Sequence, residues 1–242
     1  MVVQDDARER ELIGLFELKR VEGAGRADTD AELIVDGIHI PFELKSSTDD
    51  SVTTVRDFGP DHVAKWKDKH WLFGFYGQDG VTLKYCIYGS PEKMAPWIRL
   101  KAEYVRVDLQ LAKCVPPLIH LDMLYELLGR KEVYSIEDAE LLQKRQYSKA
   151  LYKERCDVPN GYSPQRMLEI LRDRCAYLIR RGSTLNNPHI PGSYFRGWER
   201  ITANQARRLR ELVAEALAQE AKTLEGAAQA ALASARATES AT

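Results

Sequence analysis

The chain has 242 residues, 44% hydrophobic, 29% charged and 9% aromatic, a composition that suits a globular fold with a sizeable core. No apolar run reaches the ~18 residues of a membrane span, and the opening "MVVQDDARER" lacks the features of an export signal, so a membrane partner is excluded and an intracellular address expected. Cys86, Cys114, Cys156 and Cys175 lie far apart without a C-x-x-C pair, which excludes a zinc ribbon or a disulfide framework. The net charge of −1 hides an asymmetry: residues 1–60 hold 14 acids against 7 bases, and the remainder 28 bases against 22 acids. Such a distribution suits a protein that binds a cation in one place and a polyanion around it.

Residues 5–21, "DDARERELIGLFELKRV", predict an amphipathic helix with acids early and bases late. The glycines of "EGAGRADTD" break it. In "AELIVDGIHIPFELK", two β-rich runs flank Asp36-Gly37, which predicts a hairpin with a two-residue turn. "GPDHVAKWKDKH" reads as a helix, "WLFGFYG" and "TLKYCIYG" as strands, and "PEKMAPWIRLKAEYVRVD" as a helix or loop leading into irregular chain. Further on, Ser135 and Asp138 form a capping-box pattern, and Ser163-Pro164 opens a helix that Gly182 ends. A long polar loop then runs from Ser183 to Thr202, a last helix starts near Asn204, and the small residues of the tail are expected to fray. The order predicts an α/β fold: a central mixed β-sheet flanked by helices, with a mainly helical C-terminal half. The expected division is a core with the hairpin over 1–110, a mainly helical region over 111–225 and a flexible tail over 226–242.

The chain spells Phe-Glu-Leu-Lys twice, at Phe16–Lys19 and at Phe42–Lys45. On a helix, Glu17 and Lys19 would point about 200° apart and could not serve one site. On a strand, Glu43 and Lys45 share a face, with Phe42 and Leu44 turned into the core. A two-residue turn at Asp36-Gly37 places Asp30 opposite Glu43 and Asp28 opposite Lys45, with directly paired Cβ atoms about 5 Å apart. Asp30, Glu43 and Lys45 therefore gather by register alone. Two carboxylates this close call for a cation, and with water and a phosphate oxygen they make a Mg²⁺ site. Lys45 would orient a water or stabilise charge on phosphorus. The plain alternative is an exposed cross-strand salt bridge.

Asp30, then 12 residues, then Glu43-Leu44-Lys45, between two helices, resembles the PD-(D/E)XK nuclease superfamily. "IPFELKSS" is most like the second catalytic strand of type II restriction endonucleases, and "TTVRDFGPDHVAKWKDKHWLFGFYG" is similar to the helix and aromatic strand that follow in that group. The resemblance covers residues 9–77. It implies a PD-(D/E)XK core, Asp30 and Glu43 as Mg²⁺ ligands, Lys45 as the catalytic lysine, double-stranded DNA as substrate and 5′-phosphate products. It also implies a cytoplasmic enzyme of a prokaryotic cell. One site per chain would make a homodimer the simple way to cut a palindrome. Thr29 stands where the superfamily motif has proline, and Asp28 competes with Asp30 for the role of first acid. Glu9 or Glu17 would be the helix acid that assists the metal in some of these enzymes. Repair, resolvase and modification-dependent nucleases of the superfamily, and a non-catalytic DNA-binding protein, remain as alternatives.

Further candidates for DNA contact are Ser46 and Ser47 after the lysine, Lys65 with Lys67 and Lys69 along the next helix, and Arg180 and Arg181 at a helix end. In the Ser183–Thr202 loop, Asn186, Asn187, His189, Arg196 and Arg200 include the residue types that read base edges. His62 and His70 read as structural or surface residues.

Overall fold

A computed structural model describes the backbone of residues 2–21 and 29–239, and side chains from 6 to 231 within those ranges. The fold is α/β, with a six-stranded mixed sheet and flanking helices. Helix α1 (Val2–Leu15) stops sooner than expected. Glu17 adopts a left-handed φ of 53°, and the Leu18 and Glu17 amides donate to Ile13 and Gly14 carbonyls at 2.9 and 3.3 Å. This paired closure satisfies the last carbonyls of the helix. Phe16 and Leu18 then turn into the core, and strand β1 (Lys19–Arg20) carries the chain away.

Strands β2 (Ala31–Val35) and β3 (Ile38–Ser47) form the expected hairpin, paired from Val35↔Ile38 to Ala31↔Phe42. The register follows from the turn: Asp36 and Gly37 take φ of 50° and 79°, the left-handed pair of a two-residue hairpin that glycine adopts freely. After β4 (Val52–Thr53), helix α2 (Pro60–Trp66) ends earlier than the sequence pattern implies. The chain turns there, with the Lys69 amide on the Trp66 carbonyl, because His70 begins strand β5 (His70–Tyr76), parallel to β3. Strand β6 (Leu83–Gly89) returns antiparallel, and α3 (Pro91–Cys114) is a continuous helix where a helix or loop was expected.

Next come α4 (Leu121–Leu128), β7 (Tyr134–Ser135), α5 (Ile136–Gln143), α6 (Lys149–Glu154), β8 (Gly161–Tyr162) and α7 (Pro164–Gly182). Ser135 and Asp138 cap α5 reciprocally, and Ser163 caps α7 with Pro164 in the first turn, as the sequence predicts. The segment 183–202 is not one loop. It holds β9 (His189–Ile190), a 3₁₀ turn over Gly192–Phe195 and β10 (Arg200–Ile201). Strand β9 pairs with β4, and β10 pairs with β6 at the sheet edge. Sheet order is β1-β2-β3-β5-β6-β10. The last helix, α8 (Gln205–Glu239), stays helical through the alanine-rich tail, a residue type of high helix propensity, while 240–242 lie outside the described residues.

The chain divides into two compact units. One comprises Met1–Arg56, Pro60–Leu100 and Asn187–Thr242, and the other Asp57–Gly59 and Lys101–Asn186. This differs from a split at 110, because β10 rejoins the sheet and Leu209 and Val213 of α8 enter its core. In the sheet unit, one face buries Leu33, Phe42, Leu44, Leu72 and Tyr88 beneath Leu12 and Phe16. Gly74 admits α1 closely: a Cβ there would sit 3.0 Å from the Leu12 side chain. The opposite face carries Glu43, Trp71 and Phe73, and Trp66, Trp71 and Trp97 pack with ring centroids 4.9 to 6.3 Å apart. The helical unit closes around Tyr134, Tyr152, Tyr162, Met167 and Ile170.

Candidate active site

The hairpin brings Asp30, Glu43 and Lys45 together. The Lys45 Nζ donates to Glu43 Oε1 at 2.8 Å and lies 3.9 Å from Asp30 Oδ2. Asp30 sits just before β2, where its Oδ2 accepts the Leu44 amide at 2.8 Å, so this acid is clamped to β3 by the backbone itself. Its own amide donates to the Phe42 carbonyl at 3.2 Å, one residue off the β2–β3 register, whose last pair is Ala31↔Phe42. Asp28, the competing first acid, lies outside the described residues.

Glu43 is 1% exposed, a burial that costs a lone carboxylate several kcal/mol. Three ammonium groups compensate. Lys45 holds Oε1, while Lys65 and Lys69 approach Oε2 at 3.3 and 3.4 Å. Each such pair contributes about 5 kcal/mol of attraction at an effective dielectric of 20. Burial alone would raise the Glu43 pKa, but the charge and hydrogen bond of Lys45, with Lys65 and Lys69, hold it below the usual range. Burial likewise opposes the charged form of Lys45, yet Glu43 and Asp30 outweigh it and raise its pKa. Lys69 goes the other way: burial and the neighbouring Lys65 lower it despite Glu43. For Asp30 burial wins, reinforced by the charge of Glu43, and its pKa rises. The surroundings thus favour the ionised form of Glu43 and the charged form of Lys45, and the neutral form of Asp30.

Lys45 opens onto a cleft of about 480 Å³ lined by Glu9, Leu44, Ser46, Thr53 and Thr54 among others. Glu9 comes from α1, and its pKa is raised by burial first and by the negative charge of Asp30 next. Glu17 does not reach this place. It is 68% exposed and pairs with Arg210 at 3.0 Å. Asp30 and Glu43 present the hard oxygen donors that Mg²⁺ prefers, and the raised Asp30 and Glu9 are carboxylates that an added cation would relieve, so the residues fit such an ion. Among the described residues no group of three or more His, Cys, Asp or Glu side chains is arranged to hold a metal.

The DNA-contact candidates part company. Ser46 lines the cleft, but the Ser47 hydroxyl donates to the Ser51 carbonyl at 2.7 Å and accepts the Asp49 amide at 3.1 Å, closing a turn at the end of β3. Lys65 turns inward to Glu43 and does not face outward as a backbone-tracking residue, whereas Lys67 is exposed. Asn187 and His189 are exposed beside the cleft, because β9 pairs His189 with Thr53 and the Thr54 hydroxyl donates to the Pro188 carbonyl. Arg196 and Arg200 line a second cleft with Tyr85 and Trp198, the Arg200 guanidinium lying 4.4 Å from the Tyr85 ring centre. Arg180, Arg181 and Asn186 belong to the helical unit, where Arg181 pairs with Asp57 at 3.0 Å. His70 is structural: burial lowers its pKa to about 4, and it shares a 2.6 Å hydrogen bond with the Tyr88 hydroxyl. Thr53 and Thr54 were not singled out from the sequence, although the β-branched run "SVTTV" is a short strand signal.

No protein-family model matches this chain, and no curated protein matches it. The sheet, the hairpin register and the side-chain geometry are therefore the basis for any functional reading.

Proposed function

We propose that the chain is a Mg²⁺-dependent deoxyribonuclease with a PD-(D/E)XK core, acting as a type II restriction endonuclease on double-stranded DNA. The observation that carries this reading is the triad at the hairpin: Asp30 clamped to the Leu44 amide, Glu43 buried among ammonium groups that lower its pKa, and Lys45 bonded to it at the wall of a cleft. Glu43 orients the Lys45 ammonium through the 2.8 Å hydrogen bond. With its pKa raised, Lys45 keeps its proton and serves as a donor, holding the attacking water or the charge that grows on the phosphoryl oxygens. Asp30 and Glu43 would hold Mg²⁺, which when bound supplies Lewis-acid polarisation of the phosphoryl group. Water oxygen bonds to phosphorus as the P–O3′ bond breaks, leaving a 5′-phosphate and a 3′-hydroxyl that takes up a proton. On this reading Asn187 and His189, both exposed, with His189 paired to Thr53 of the cleft, would contact the duplex. A homodimer would supply the second site that a palindromic cut needs, and a prokaryotic cytoplasm is the setting in which a restriction enzyme meets foreign DNA.

One observation favours a second reading. Three lysines already neutralise Glu43, as in a buried structural ion cluster, and a DNA-binding protein without catalysis would need no more. Digestion of unmethylated bacteriophage DNA separates the two. The nuclease gives discrete fragments in Mg²⁺, none in EDTA and none with Glu43→Gln. Wild-type protein that binds the DNA but leaves it intact in Mg²⁺ sinks the restriction reading for plain duplex. Repeating the digestion on methylated and branched DNA then separates the other nucleases of the superfamily from the binding protein.

A further inference from the structure

The proposed chemistry uses one lysine, yet the site contains three. Lys65 and Lys69 do not come from the hairpin but from the end of α2 and the turn after it. Both approach the same oxygen of Glu43, at 3.3 and 3.4 Å, long beside the 2.8 Å bond of Lys45 and beyond the usual range for a charge-assisted hydrogen bond. Two ammonium groups sharing one oxygen neutralise its charge, and at 3.3 Å Lys65 does so without a close hydrogen bond to it. Lysine is suited to this, being a compact charge on a flexible stem. Lys65 also keeps a route to solvent, with 18% of its side chain exposed.

Charge balance gives the arrangement its meaning. Among the described residues, Glu43, Asp30 and Glu9 bring three carboxylates to Lys45, Lys65 and Lys69, a balance near neutral when all are ionised. A dication would add two positive charges to a mostly buried cluster, an imbalance that burial makes costly. A phosphodiester adds one negative charge, and an ammonium that turns from Glu43 toward it frees a carboxylate oxygen at the same moment. We propose that Lys65 and Lys69 are resident counter-ions of Glu43 that leave its Oε2 for a DNA phosphate, so that divalent cation and substrate bind the site cooperatively. The proposal rests on the nuclease reading and adds its regulation: the site binds cations weakly until DNA receives the two lysines.

Calorimetric titration of the full chain with Ca²⁺ alone tests it, beside thermal melts of each variant. Lys65→Gln should tighten Ca²⁺ binding about tenfold and Lys65→Gln/Lys69→Met further, and adding Glu43→Gln should abolish the gain. Because the double variant leaves Glu43 buried with a single ammonium and is the one at risk of unfolding, Lys65→Gln decides where it fails to fold. A folded Lys65→Gln that binds Ca²⁺ no tighter, while Glu43→Gln still removes wild-type binding, overturns the counter-ion role and leaves the nuclease reading standing. Ca²⁺ bound by neither wild type nor Lys65→Gln at millimolar concentration overturns the counter-ion role too, and the Mg²⁺ digestion then decides the nuclease reading separately. The hand-over has its own readout: Ca²⁺ should strengthen wild-type binding to a mixed-sequence duplex, and Lys65→Gln should lose most of that enhancement. An enhancement of equal size in both proteins overturns it.

Discussion

The two Phe-Glu-Leu-Lys segments share every side chain and almost nothing else. At Phe16–Lys19 the backbone is closing a helix, so Glu17 is thrown outward in a left-handed conformation, 68% exposed and paired with Arg210 on the surface. At Phe42–Lys45 the backbone is an interior strand between β2 and β5, so Glu43 is driven inward to 1% exposure and meets three ammonium groups. Phe16 and Leu18 are buried in the first copy, as Phe42 and Leu44 are in the second. Apolar anchoring is common to both, and the difference lies in the polar pair. A two-residue repeat aligns Glu43 with Lys45, while a helix end gives Glu17 and Lys19 no shared face. Chemistry here is a property of the backbone that presents the letters.

Parallel substitutions exploit that contrast. The largest effect is expected from glutamate to glutamine at both copies. Glu43→Gln should lower cleavage by about 10³-fold or more, as several kcal/mol of charge stabilisation is lost. Glu17→Gln should stay within twofold, and equal losses at the two positions would break the comparison. Next, Lys45→Met should cost about 10²- to 10³-fold in turnover, the usual consequence of removing a donor to developing charge. Lys19→Met, at the exposed edge strand, serves as its control.

Asp30→Asn should separate stability from function. The amide oxygen can still accept from Leu44, while the charge that burial and Glu43 oppose is gone. Unfolding free energy at neutral pH should rise by about 1 kcal/mol as activity falls. The sign is fixed by the raised folded-state pKa. Wild-type Asp30 is penalised when ionised, so the advantage of the variant is full above that pKa and fades as acid protonates wild type toward the unfolded value of about 3.9. An advantage that grows on acidification would contradict this. The smallest effect belongs to Glu17→Gly. Glycine removes the left-handed strain at the end of α1 and should stabilise by about 0.5–1 kcal/mol in a denaturant melt.

The legible parts were those governed by local geometry. Asp36-Gly37 dictates a two-residue turn, and that turn dictates the register as far as Ala31↔Phe42. Asp30 lies one residue beyond, where its bond to the Leu44 amide, which no pattern announced, holds it near Lys45. The caps at Ser135 and Ser163 were readable for the same reason. The rest depended on partners distant in sequence. Nothing near Pro188 announces that its carbonyl will accept the Thr54 hydroxyl 134 residues away, yet that pairing ties part of an apparent loop to Thr53 and Thr54, which line the cleft. Lys65 and Lys69 read as outward-facing bases because a helix pattern was continued to His70. The early end of α2 and the parallel β3–β5 pairing turn both toward Glu43.

The tryptophan cluster beneath this face has a practical consequence. Trp71 is the ladder partner of Glu43, and Trp66 and Trp97 pack against it, so three of the four indoles in the chain lie in the wall behind the buried carboxylate. Indole emission responds to nearby charge, and a lysine leaving Glu43 alters the field across those rings. The protein therefore carries an intrinsic optical reporter, through which rapid-mixing fluorescence can time events at the carboxylate without a label.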